Sequence, residues 1–151
     1  MKKFELTNEF IANRFGTKLF RIRALVEFGD VEAGELGGYV EKESNLGHDD
    51  NAWVYGNARV YGNALVCGDA RVCGDARVCG NGDYAYAHGF GSVNRTTTFF
   101  RLKDGGVGVR CGCFYGTLAQ FRDKIRETHG ETKKAQEYLM LADLMKLRFE
   151  K

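Results

Sequence analysis

Residues 54–82, VYGNARVYGNALVCGDARVCGDARVCGNG, state nearly the same six-residue phrase five times, with copies beginning at Val54, Val60, Val66, Val72 and Val78. Each copy has a valine, a tyrosine or cysteine, then glycine with Asn or Asp, and the first four have an alanine four residues after the valine. Such a phrase fits a short strand with its valine turned inward, a corner at Gly-Asn or Gly-Asp, and a small side chain packed inside near the corner. The period is that of a hexapeptide parallel β-helix. Three phrases close one coil, so residues eighteen apart stack at the spacing of neighbouring strands, roughly 4.8 Å. The expected columns are Val54 with Val72, Val60 with Val78 and Val66 with Tyr84, with Ala52 and Ala70, and Ala58 and Ala76, filling the narrower interior. Upstream, Val40 and Leu46 keep the six-residue step, after which GHDDNAW adds two residues before Val54, a bulged corner.

The coil therefore runs from about Leu36 to about Phe90, near the minimum for a solenoid, and its ends need caps. Residues 4–28 contain FELTNEF and KLFRIRALVEF, whose apolar residues nearly alternate as in half-buried strands. TTTFFRLKDGGVGVRCGCFYG reads as a hairpin turning at Asp104-Gly105-Gly106. Thr117 is an N-cap for a helix with Leu118, Phe121 and Ile125 on one face and Gly130 as its stop. A second helix follows from about Thr132 to Phe149, with Ala135, Tyr138, Leu139, Ala142, Leu144, Met145 and Phe149 on its apolar side. The expected architecture is mainly β. It has an N-terminal β cap (1–35), a short parallel hexapeptide-repeat β-helix (36–92), and a C-terminal β-hairpin plus two helices (93–151).

The stretch RALVEFGDVEAGELGGYVEKESNLGHDDNAWVYGNARV, with the repeat and then TFFRLKDGGVGVRCGCFYGTLAQF, resembles a family of phage- and prophage-encoded hexapeptide-repeat proteins. That resemblance implies a left-handed β-helix, whereas parallel crossovers in ordinary sheets favour the right hand. It implies no assigned reaction. The viral context it brings suggests an accessory or counter-defence role, such as an anti-CRISPR-like factor, in the cytoplasm of an infected or lysogenic bacterium.

The chain has 151 residues and a formal charge of +2. Its cations form no block, so charge balance predicts neither a nucleic-acid arm nor a membrane patch, and direct nucleic-acid binding stays open. MKKFELTNEFIANRF interrupts the apolar run that a signal peptide requires, and a soluble protein without membrane contact is expected. Five cysteines, three of them in the repeat position that tyrosine holds in the first two copies, read as free thiols.

An acyltransferase built on this scaffold needs a histidine base, and only His48, His88 and His129 are present. His48 has Asp49 and Asp50 beside it, but an HDD corner is more often a solvated turn. A zinc centre of the carbonic-anhydrase kind needs converging histidines, and their spacing here does not supply them. Cys111 and Cys113 would share one side of a strand, a weak ligand pair that reads better as packed thiols. No cofactor, metal or catalytic residue is expected, and the glycines belong to corners rather than to a phosphate-binding loop.

Residues flanking each inward valine point outward. Face one carries Trp53, Tyr55, Arg71 and Cys73, face two Arg59, Tyr61, Arg77 and Cys79, and face three Leu65, Cys67, Asp83 and Ala85. Trp, Tyr and Arg are the residue types of binding hot spots. Trp53, Tyr55, Arg59, Tyr61, Arg71 and Arg77 are therefore the expected partner-binding set, engaging a host protein or ribonucleoprotein complex, against the plainer reading of stacked aromatics and solvated arginines. The smoother third face, with Leu65, Cys67 and Ala85, is the expected self-association surface of a dimer or trimer. The alternatives are an acyltransferase-like enzyme using His48 or His88, and a sponge for a small anionic signal.

Overall fold

The computed structural model describes residues 2–91 and 95–150. The protein is mainly β with two C-terminal helices. An antiparallel hairpin opens the chain, β1 (Phe4–Ala12) against β2 (Lys18–Ala24), and β2 continues antiparallel to β3 (Leu36–Val40). The repeat then contributes two-residue strands: β4 (Trp53–Val54), β5 (Arg59–Val60), β6 (Arg71–Val72) and β7 (Arg77–Val78).

These strands pair in parallel by column. Val54 pairs with Val72 and Val60 with Val78, eighteen residues apart as the period requires. Val40 pairs with Val60 and Leu46 with Val66, twenty residues apart, so the two residues added by GHDDNAW sit in a corner and leave the stacking intact. Asp50 holds that corner, accepting from Gly68 N–H at 2.8 Å and from Ala52 N–H at 3.2 Å. Every column valine and interior alanine from Ala52 to Val78 is buried, because a strand of two residues can be held only by what its inward side chain packs against. The sheets are mixed: β3, β5 and β7 extend the N-terminal hairpin into a five-stranded sheet, while β4 and β6 form a separate pair.

The expected Val66–Tyr84 column does not form as a ladder. After Val78 the chain enters β8 (Tyr84–Phe90), which pairs antiparallel with β9 (Arg95–Arg101), with Tyr84 opposite Phe100. The cause is the longer antiparallel register available to YAYAHGF, which places six residues opposite partners in β9. Tyr84 still reaches back to the coil, donating its hydroxyl to the Leu65 carbonyl at 2.6 Å. Strands β10 (Val107–Cys111) and β11 (Phe114–Thr117) complete a four-stranded sheet ordered β11-β10-β9-β8. The chain boundary expected between residues 92 and 93 lies outside the described residues.

Helix α1 (Leu118–His129) begins at Thr117, whose hydroxyl accepts from Gln120 N–H, and ends at Gly130. Helix α2 (Lys133–Phe149) begins at Thr132, whose hydroxyl accepts from Ala135 N–H. Both pack over the four-stranded sheet in a core of Phe99, Val109, Phe121, Ile125, Tyr138, Ala142, Met145 and Phe149. Leu144, expected on the apolar face, is exposed instead, because the buried stripe runs through Tyr138, Ala142, Met145 and Phe149. A second core fills the coil and takes in Phe4, Ile22, Trp53 and Phe100.

Candidate functional site

The structure separates the two faces that the sequence assigned to partner binding. Face one is covered by the protein's own flanks. Trp53 is 0% exposed, gripped edge-on by Phe4 and Phe28. Tyr55 donates its hydroxyl to Asp30 at 2.9 Å and lies beneath the Arg110 guanidinium, 4.3 Å from the ring centroid. Arg71 pairs with Asp30 at 2.7 Å, and its backbone N–H donates to Thr98 Oγ1 at 3.0 Å. Cys73 is buried beneath the C-terminal sheet as well, and burial pushes its thiol pKa up. Trp53 and Cys73 are thus corrected from outward surface to core. Tyr55 and Arg71 are structural partners of Asp30, whose carboxyl burial would raise but Tyr55 and Arg71 together hold below the ordinary range.

Face three is partly consumed in the same way. Leu65 is exposed and Cys67 half-buried, the latter 3.7 Å from the Tyr84 hydroxyl. Ala85 leaves the coil with β8 and packs against the C-terminal core. The three residues therefore do not form one outward coil face.

Face two remains open. Arg59 and Arg77 stand opposite each other in the parallel β5–β7 ladder, in the column that begins at Tyr39. Around them lies a cleft of about 710 Å³. Its floor is Arg59, Tyr61, Arg77 and Cys79; one wall is the β1–β2 hairpin tip, Asn13-Arg14-Phe15; the other is the end of β9 and the following turn, Arg101 to Gly105. Five cations, Arg14, Arg59, Arg77, Arg101 and Lys103, face two carboxylates, Asp83 and Asp104, an excess of three positive charges.

The carboxylates are already engaged. Asp83 takes Arg101 Nε at 2.9 Å and the backbone N–H of Cys79 at 3.1 Å, and these outweigh the burial that would raise its pKa, which stays low. Asp104 accepts from Gly106 N–H at 2.8 Å in its own turn. Arg77 donates to the Ala76 carbonyl at 2.9 Å. Among the described residues no ion pair reaches Arg59 or Arg77. Arg59 Nε is buried without an acceptor. Burial and then the neighbouring Arg59 charge lower the pKa of Arg77, outweighing the Asp75 carboxylate that would raise it. A buried unpaired donor costs about 1–3 kcal/mol, and native structures hold few of them. The floor is therefore a pair of like charges facing each other in the ladder without a salt bridge of their own among the described residues.

The histidines fall into different settings. His48 stacks on Phe4 at 4.3 Å between centroids, and its Nδ1 accepts from Lys3 N–H at 3.1 Å, so its ring helps anchor the N-terminus. Beside it the Lys3 ammonium enters the bulged corner, donating to the Asp50 and Ala52 carbonyls at 3.0 and 2.7 Å and to Asp50 Oδ1 at 3.2 Å. His88 is exposed, 2.7 Å from Thr96 Oγ1, in a depression lined also by Asp69, Arg71 and Arg95. Cys111 and Cys113 line one pocket together with His129, although only Cys111 belongs to the strand. The strand ends at Cys111, which is buried 3.7 Å from the Tyr138 hydroxyl, and after the turn at Gly112 the Cys113 side chain is exposed. Among the described residues no three His, Cys, Asp or Glu side chains converge as metal ligands would, and no helix is long and apolar enough to cross a membrane.

The YdcK beta solenoid repeat family matches residues 52–68, about one coil of the repeat. An alignment over 62 positions that covers 36% of this chain is 37% identical to an uncharacterized acetyltransferase, YdcK, of Escherichia coli strain K12. The alignment spans 19% of that protein's length. Both likenesses support a solenoid-like repeat, in agreement with the stacked columns.

Proposed function

We propose that the protein acts by binding, and that its working surface is the cleft over Arg59, Tyr61 and Arg77. The observation that supports this reading is the arginine ladder itself: Arg59 and Arg77 face each other across β5 and β7, and among the described residues no salt bridge reaches either. The partner supplies the missing anionic groups, and Tyr61 and Phe15 give it large, rigid apolar area. In this reading the coil is a short left-handed β-helix acting as a rigid frame. The partner is a host protein or ribonucleoprotein complex of a phage-infected bacterium, and the counter-defence role extends the resemblance noted from the sequence. Self-association into a dimer or trimer, through the exposed Leu65 and its neighbour Cys67, belongs to the same proposal.

The test is capture from a host lysate with wild-type protein and with the R59E/R77E double variant, the mass of the intact complex being measured. A stoichiometric partner lost on charge reversal supports the cleft. A partner retained by the double variant overturns it.

A second reading is acyl transfer, favoured by the likeness to the uncharacterized acetyltransferase and by the exposed His88 beside Asp69 and Arg95. It requires a base with a free lone pair toward an acceptor group; His48 lines a pocket, but its Nδ1 already accepts from Lys3 N–H and its Nε2 lies 3.5 Å from the Glu43 carboxylate. Hydrolysis or transfer from acetyl-CoA, abolished by H88A, supports this reading; no turnover in the wild type removes it.

A further inference from the structure

We infer that the cleft is a nucleotide site, with the phosphoryl group of a free nucleoside phosphate between Arg59 and Arg77 and its base against Phe15. This rests on the reading of the cleft as the binding surface and adds a small-molecule occupant that would compete there with the macromolecular partner.

Three features distinguish a phosphoryl group from a carboxylate here. First, the guanidiniums project from facing residues of a parallel ladder, whose strands run roughly 4.8 Å apart. Neighbouring oxygens of one tetrahedral group can each accept from a different arginine at that spacing, leaving a third oxygen for the cleft wall. Second, the excess of three positive charges exceeds what one carboxylate neutralises but suits a phosphomonoester, which carries up to two negative charges. Third, Lys103 and Arg14 stand on opposite walls, where they meet an anion seated on the floor from both sides.

Phe15 is the platform for the base. This ring is 78% exposed at the tip of the β1–β2 hairpin and packs in neither core. Large exposed aromatics at the rim of a cationic groove are stacking platforms for bases. The Arg14 guanidinium lies 5.1 Å from the Phe15 centroid, which brings charge and ring to the same edge of the cleft. The volume of about 710 Å³ falls within the range of small-molecule sites.

The experiment is isothermal titration of the full chain with AMP, GMP, CMP and UMP, each beside its nucleoside and beside inorganic phosphate. At least one monophosphate is expected to bind at one per chain, at least about tenfold tighter than its nucleoside, and to weaken by about that factor in R59Q and in R77Q. F15A should weaken the monophosphate while leaving the response to inorganic phosphate unchanged. F15A and K103A lie on exposed turns, so they report on the site even where an arginine change disturbs the ladder. The inference falls if no monophosphate binds, if a nucleoside binds as tightly, or if F15A, K103A, R59Q and R77Q all leave binding intact. If no nucleotide binds yet the R59E/R77E variant still loses its macromolecular partner, the nucleotide assignment fails and the binding cleft stands.

Discussion

Trp53 occupies an outward position of the repeat and is nevertheless fully buried, with its indole N–H lacking an acceptor. Its burial by Phe4 and Phe28 ties the N-terminal segment to the coil. W53A should cost about 3–5 kcal/mol in chemical denaturation, the range for deleting a buried aromatic. W53F, which keeps a ring and removes the orphan donor, should cost clearly less, and equal losses would refute the packing account. Lys3 belongs to the same seam, its ammonium buried among the Asp50 and Ala52 carbonyls and the Asp50 carboxylate. K3M strands those acceptors and should cost about 3 kcal/mol, whereas K2M on the exposed neighbour should be close to neutral. The identity of inward and outward positions was legible from the period. Which outward positions stay exposed was not, because that depends on Phe28, Asp30 and Thr98, residues outside the repeat that carry no periodic signal.

At the scale of elements, the corner glycines differ although their phrases match. Gly56 and Gly62 both have positive φ, +59° and +63°, but a side chain at Gly56 meets open space while one at Gly62 would lie 2.7 Å from the Cys79 carbonyl. G56A should cost about 1 kcal/mol and G62A at least twice that, read from denaturation midpoints. The helix limits at Thr117, Gly130 and Thr132 were legible because capping is local chemistry, and T117A should cost about 1 kcal/mol. The fate of YAYAHGF was not. Its residues satisfy the hexapeptide pattern loosely, and the partner that captures them, β9, is recognised only once the chain has folded. The Arg71 N–H to Thr98 hydroxyl bond closes the boundary between coil and sheet, so T98V should lose about 1–3 kcal/mol.

Across the whole molecule, Asp30 links the N-terminal loop to face one through Tyr55 and Arg71. Its pKa is held low in the folded state, so the unfolded chain binds its proton first as pH falls. The stability it contributes is complete above the unfolded carboxylate pKa of about 4 and is lost as pH falls through the lower folded value. Wild type should therefore lose melting temperature more steeply than D30N on acidification below about pH 4; parallel curves would show that the link contributes nothing. The basic cleft was half legible. Arg59, Tyr61 and Arg77 follow from the repeat, but its walls come from hairpin tips more than forty residues away on one side and about twenty-five on the other.

The unpaired arginine ladder also bears on how this protein's resting state compares with its best possible one. Two like charges on adjacent strands repel each other while nothing is bound, and the Asp75 carboxylate offsets this only in part at Arg77, so the fold itself does not require both. R77Q should therefore melt higher than wild type in ligand-free buffer, by about 1–2 °C at low salt, with the gap closing as salt screens the pair. A substitution that improves the fold while weakening recognition marks a surface kept for its use, and the stability half of that trade-off can be measured before any ligand is known.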